Sequence, residues 1–195
     1  NVTDIVTLSG VAPDEILRLA ASIEAGSEHP LGEAIVRAAK HRGLELPKVE
    51  GFEAIPGHGI RGKIAPSPLP SPWKGEGREG VESLRVLLGN RRLFAREGID
   101  AKVAEETMTR LEGEGKTAML VGRDGVLIGI IAVADTLKPE AAEAIASLKS
   151  EGVQVVLLTG DNQRTAQAIA KQLGIEQVIA EVLPADKARV IQNLQ

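Results

Sequence analysis

The chain contains no cysteine. Disulfides and thiolate metal sites are therefore excluded, and the composition suits a reducing compartment. Tyrosine is also absent, and one Trp with two Phe makes an aromatic fraction of 2%. Single strands of nucleic acid are held by stacking bases on aromatic side chains, so this composition argues against that class. The 23 Lys and Arg fall short of the 27 Asp and Glu, for a net charge of −4. A duplex-binding domain carries a basic excess or patch, so nucleic acid is not an expected partner. No apolar run approaches the roughly 20 residues of a membrane span, and no signal peptide is visible. The chain itself reads as soluble. It starts at Asn1 and stops at Gln195, without an initiating Met, and is expected to be a piece of something longer.

What is present organises into two parts, since 195 residues can build one large core or two small ones. Apolar residues Ile16, Leu17, Leu19, Ala20 and Ile23 recur at helical spacing, with Pro13 suited to the first turn and Gly26 to the stop. "PLGEAIVRAAKHR" (30–42) repeats the grammar, with Pro30 at the first helical position and Gly43 at the end. Short strands follow in "VEGFEAI", "GIRGKIA" and "LRVLLGN", and a helix is expected over 99–112. "KTAMLVGRDGVLIGIIAVA" reads as a hairpin turning at "RDG". Beyond it the pattern changes. A helix in "TLKPEAAEAIASLKSEG" precedes "VQVVLL" (153–158), expected as a buried parallel strand. A helix closed by Gly174, the short strand "QVIAEV" and the helix start "PADKARVIQNLQ" complete the order. The fold class is α/β. An α+β domain with an antiparallel sheet and helices (1–128) is followed by part of a Rossmann-like parallel-sheet domain (129–195).

One segment, "APSPLPSPWKGEGREG" (65–80), is rich in Pro, Gly and charge and interrupts a hairpin. It reads as an inserted loop, which costs only loop-closure entropy, or as a Pro-rich docking peptide carrying the single Trp.

Four stretches carry candidate chemistry. In "LLTGDNQRTA", Thr159, Gly160 and Asp161 follow a strand and precede a helix, where ligands and anions bind in open α/β sheets; Asp161 or Asn162 could equally be an N-cap. In "LPADKARVIQ", Lys187 sits in the first turn of a helix, a poor place for a cation unless an anion faces it. Asp135 in "ADTLKPE" is either an N-cap or a hinge residue beside a nucleotide. In "IPGHGIRG", Gly57 and Gly59 flank His58; they allow close backbone approach to a ligand, or merely a turn or bulge.

Together with "SEHPLGEAI" and "LLGNRRLF", these pieces resemble the cytoplasmic ATP-binding region of heavy-metal-transporting P-type ATPases, most like the copper pumps. The likeness covers nearly the whole chain except 65–80. It implies a nucleotide-binding domain followed by part of a haloacid dehalogenase-type phosphorylation domain. By resemblance, Glu24 and His29 hold the adenine, Gly57, Gly59 and Ile60 approach the nucleotide, and Gly89 and Asn90 complete the pocket. Thr159, Gly160 and Asp161 match the second phosphoryl-contact motif, Lys187 the charge-stabilising Lys and Asp135 the hinge. The implied cofactors are ATP and Mg²⁺, the latter with most ligands outside this chain. The implied partners are the membrane and actuator domains of a parent pump, at the cytoplasmic side of the cell membrane.

The departures limit what the chain does alone. The family's Asp-Lys-Thr-Gly-Thr stretch, which carries the phosphorylated Asp, is absent, and so is its Gly-Asp-Gly-x-Asn-Asp motif for Mg²⁺. Asp4 is no substitute, because no apolar strand precedes it. The chain is therefore expected to bind ATP or ADP without phosphorylating itself. A free-standing dehalogenase-type phosphatase would need an Asp-x-Asp nucleophile motif, and none is found. A dinucleotide module would want G-x-G-x-x-G between strand and helix, whereas Gly57 and Gly59 are followed by more strand.

Overall fold

The computed structural model describes residues 1–27, 29–65, 83–134 and 139–194. Asp135, and all of the 65–80 segment except Ala65, lie outside the described residues. The chain divides into two compact units. The first comprises Asn1–Glu105 with Ala118–Val133, the second Glu106–Thr117 with Ala134–Gln195.

The first unit is a six-stranded sheet carrying helices. Its strands are β1 (Val2–Thr7), β2 (Val49–Ile55), β3 (Gly59–Ile64), β4 (Leu84–Gly89), β5 (Thr117–Arg123, whose first residue counts with the second unit) and β6 (Val126–Val133), in the order β1-β6-β5-β4-β3-β2. β1 runs antiparallel to β6, with Val2 opposite Val133. β2, β3, β4 and β5 pair antiparallel in turn. The turn at "RDG" places Asp124 and Gly125 at φ 48° and 80°, the two positive values of a type I′ hairpin.

Helices α1 (Pro13–Glu24) and α2 (Pro30–His41) each begin with proline at the first turn, where the missing N–H costs nothing. Their apolar stripes supply Ile16, Leu17, Leu19, Ile23 and Ile35 to a core shared with Ile60, Ile64, Val86, Leu88, Val121, Ile128 and Ile131 of the sheet. Each such fully buried side chain contributes about 1.5–3 kcal/mol. A short helix, α3 (Arg91–Arg96), follows β4. Asn90 caps it by accepting from Leu93 N at 3.1 Å. Glycine β-carbons built in place would meet Leu93 at Gly89 and Phe94 at Gly122, so α3 is seated directly on the strands.

The second unit contains α4 (Glu105–Gly113, its first residue counted with the first unit), α5 (Pro139–Ser150), β7 (Val156–Leu158), α6 (Gln163–Leu173), β8 (Gln177–Ile179) and α7 (Lys187–Leu194). β7 and β8 pair in parallel across the α6 crossover. Asn162 caps α6 by accepting from Thr165 N at 3.0 Å, and Gly174 ends it in the left-handed region at φ 67°.

Two expectations need correction. The strand expected over 153–158 is only Val156–Leu158, and it is half-buried rather than buried, because among the described residues β7 has a single strand partner. The helix expected over 99–112 begins later: Asp100 accepts from Lys102 N at 2.9 Å, a 3-10 turn spans Lys102–Ala104, and α4 starts at Glu105. Asp4 itself lies within β1, a strand that exists through its pairing with the distant β6.

Candidate functional site

The corner between α1 and α2 is built around Glu24. Glu24 closes α1 and is 7% exposed, and its Oε2 is buried with no hydrogen-bond partner. Burial raises its pKa, and a hydrogen bond from Ser27 partly offsets this. An orphaned buried carboxylate oxygen is costly unless something donates to it. The carboxylate lies against α2, and a β-carbon at Gly32 would be 2.9 Å from Glu24 Cδ. Ser27 Oγ accepts from His29 N at 3.2 Å. His29 is exposed and serves as the N-cap of α2, its Nδ1 accepting from Leu31 N at 3.2 Å. With Nδ1 accepting, the ring proton sits on Nε2, which is left as an outward donor.

The Gly-x-Gly stretch is held by Asn90. Asn90 Nδ2 donates to Gly57 O at 2.9 Å, and Asn90 N donates to His58 O at 2.9 Å. Gly57 takes φ 72° in the β2–β3 turn. Gly59 stands opposite Gly89 in the β3–β4 ladder at φ 143°. A β-carbon at Gly59 would overlap the Leu88 carbonyl oxygen and stand 2.5 Å from Gly89 Cα; one at Gly89 would overlap the His58 carbonyl oxygen. Both glycines are thus required by the closeness of two backbones. Ile60 is 7% exposed and belongs to the core. Gly57, Gly59, Ile60, Gly89 and Asn90 therefore form one contiguous strand-and-turn element. Two wide hollows, one beside Arg91, Ala95 and Glu105 and one beside Glu33, Val36 and Lys40, include none of these residues.

In the second unit Thr159, Gly160 and Asp161 follow β7 at its carboxyl end. Thr159 Oγ1 donates to Asp161 Oδ2 at 2.8 Å and accepts from Asp161 N at 3.1 Å. Thr117 Oγ1 lies 3.4 Å from Asp161 Oδ1. The loop after β8 is tied to this turn, because Val182 N donates to Thr159 O at 3.1 Å and Glu181 N to Asp161 O at 2.9 Å. Lys187 opens α7 after that loop. Thr159 follows the carboxyl end of β7, whereas Lys187 stands eight residues beyond the end of β8. No cluster of three or more His, Asp or Glu able to hold a metal ion occurs among the described residues. Asp161 already serves two hydroxyls. The described residues therefore do not by themselves make a Mg²⁺ site, which wants one or two free carboxylates with phosphate oxygens.

A model of the haloacid dehalogenase-like hydrolase family matches residues 2–195. The chain belongs to this family. Among curated relatives, it is 44% identical over 195 residues to a probable copper-exporting P-type ATPase V of Mycobacterium tuberculosis, covering all of this chain and 23% of that protein. It is 43% identical over its whole length to a copper-exporting P-type ATPase of Bacillus subtilis, covering 22% of that protein. The chain therefore spans less than a quarter of the length of these relatives. Among solved structures, a zinc-transporting PIB-type ATPase in an E2.Pi state matches with a TM-score of 0.61 and 36% identity, covering all of this chain and 28% of that one. No described helix is long and apolar enough to cross a membrane.

Two further residues, with no signal of their own in the motifs, border the corner. Gly32 lies in the first turn of α2. Phe52, on the edge strand β2, is 39% exposed, and its ring would meet a β-carbon at Gly26 at 3.6 Å. It is set there by a bulge between Glu50 and Glu53, with Gly51 at φ 61°. A glycine next to Phe in a strand was the available signal for the bulge.

Proposed function

We propose that the chain is the ATP-binding cytoplasmic part of a metal-exporting, copper-class P-type ATPase. The first unit is its nucleotide-binding domain, and the second is part of its phosphorylation domain. The observation that carries the reading is the buried, unpartnered Glu24 Oε2 at a corner that also presents an exposed His29. An adenine supplies what the corner lacks: its exocyclic amine donates to the carboxylate, and a ring nitrogen accepts from His29 Nε2. The sugar and phosphates then run along Gly57, Gly59, Gly89 and Asn90, with Ile60 behind the strand. Copper follows from the curated relatives, which are copper-exporting P-type ATPases.

In the parent protein, an aspartate carboxylate outside these residues attacks the γ-phosphorus. The bond to the β–γ bridging oxygen breaks, leaving ADP and an aspartyl phosphate. Here Thr159 turns its hydroxyl from Asp161 to a phosphoryl oxygen, Gly160 N–H donates beside it and Lys187 balances developing negative charge. Mg²⁺ would neutralise phosphate charge, with ligands beyond those described. By the family resemblance, Asp135 is the hinge residue. The remaining partners are the membrane and actuator domains of the same polypeptide, on the cytoplasmic side.

Calorimetric titration of the chain with ATP, ADP and NAD tests this directly. Binding of ATP and ADP that is weakened by Glu24→Ala is expected. NAD binding without ATP binding, or phosphoenzyme formed by this chain alone, overturns the reading.

A further inference from the structure

We propose that Gly32 is a positioning residue of the nucleotide corner: its missing side chain is the seat of the Glu24 carboxylate, and so sets where that carboxylate meets a purine. The inference rests on the ATP reading above. Gly32 is buried in the first turn of α2. Glycine inside a helix is less favourable than alanine by about 1 kcal/mol. Its φ is not positive, so the backbone does not demand glycine. The reason lies across the helix pair. A β-carbon at Gly32 would overlap Glu24 Oε2, lie 2.9 Å from Cδ and 3.4 Å from Cβ, so its three nearest neighbours all belong to Glu24.

What a methyl would strike is the far end of a flexible side chain rather than a strand or helix backbone. The carboxylate can swing away while α1 and α2 stay packed. Adding a methyl is therefore expected to separate fold from recognition, which alanine at Gly59 or Gly89 cannot do. A shorter side chain at position 24 should escape the collision, because an aspartate ends one methylene earlier.

The test uses the full chain and five proteins: wild type, Gly32→Ala, Glu24→Gln, Glu24→Asp and the Gly32→Ala/Glu24→Asp double variant. Each is titrated with ATP and with ITP, which carries an oxygen where ATP carries the donating amine, and each is melted. Gly32→Ala is expected to melt no lower than wild type and to bind ATP about tenfold more weakly, the loss of one hydrogen bond to a charged group. It should bind ITP with nearly unchanged affinity, so the ATP preference collapses as it does in Glu24→Gln. The double variant should bind ATP as Glu24→Asp does.

Wild-type ATP affinity in Gly32→Ala overturns the proposal, as does an equal loss for ATP and ITP. If Gly32→Ala melts lower, the double variant decides. Binding equal to Glu24→Asp supports the seat, and a further loss of the same factor overturns it. If wild type binds no ATP, the nucleotide reading fails, and the seat is read from the Glu24 carboxyl resonance. A Glu24 titration moved towards the ordinary range by Gly32→Ala supports it, and an unmoved titration overturns it.

Discussion

Replacing Gly59 by alanine is expected to destabilise the sheet of the first unit severely, whether or not nucleotide is present. The new β-carbon would overlap the Leu88 carbonyl oxygen, stand 2.5 Å from Gly89 Cα and touch Leu93 Cδ2 at 3.0 Å. Overpacking costs about 1–3 kcal/mol where side chains can adjust. Here two of the three struck atoms are backbone of the adjoining strand, so the upper end applies. The φ of 143° adds about 1–3 kcal/mol, since side-chain-bearing residues rarely adopt it. The sum is about 4–6 kcal/mol, and at roughly 4 °C per kcal/mol for a domain of this size the midpoint falls by about 15–25 °C. Gly10→Ala is the control. Gly10 also has positive φ, 73°, but nothing lies within 4 Å of its β-carbon. It should lose only the conformational part, about 1–2 kcal/mol. Thermal unfolding of the chain, followed by circular dichroism, compares the two. If Gly59→Ala melts as Gly10→Ala does while losing ATP affinity, the glycine serves the ligand and the strand-packing argument is wrong.

Three further outcomes follow from the same geometry. Burial lifts the Glu24 carboxyl above its ordinary 4.5, so the folded chain holds that proton more tightly than the unfolded one. Its contribution to stability therefore declines as pH rises from about 4.5 through the lifted value, and Glu24→Gln should abolish the decline. Urea unfolding at pH 4.5 and pH 7 measures it, and an unchanged difference between the two pH values in Glu24→Gln contradicts it. His29→Ala removes the acceptor for Leu31 N and should cost about 1 kcal/mol, whereas His29→Asn restores the cap. If ATP affinity returns in the Asn variant, measured by calorimetry, the imidazole is only a cap. Thr159→Val breaks the hydroxyl link to Asp161 and should cost about 1 kcal/mol in the second unit, leaving ATP affinity of the chain unchanged. A fall in ATP affinity in Thr159→Val counts against assigning Thr159 to the transfer step alone.

Residues whose role is local were legible from the order of amino acids. Pro13 and Pro30 announced two helix starts, Gly174 a helix end and the Asp124–Gly125 pair a hairpin, because each acts through its own φ. Roles that need a distant neighbour were not. β1 has six residues of mixed burial and exists through pairing with β6. α3 is only six residues long and holds through Asn90, Leu93 and Phe94 rather than through periodicity. "VQVVLL" looked like a strand buried on both sides, but burial depends on how many strands and helices flank it, which a run of valines does not encode. At the candidate site, Glu24 and His29 were named through the family resemblance of "SEHPLGEAI". Gly32 was not, since its importance is the shape of a side chain eight positions earlier on another helix. The Gly59–Gly89 pair is intermediate: glycine was noticed, but its reason is the opposite strand.

The pairing of Val2 with Val133 puts the two ends of the first unit side by side. Chain adjoining those two ends therefore needs to span only one interstrand gap. The same arrangement has a mechanical side. Tension applied through those two ends pulls β1 and β6 apart from their shared tip, loading the rungs one at a time like a zipper rather than together as in shear. Such a tether resists little force, so the unit can be turned or displaced by its attachment only gently before β1 begins to peel from the sheet.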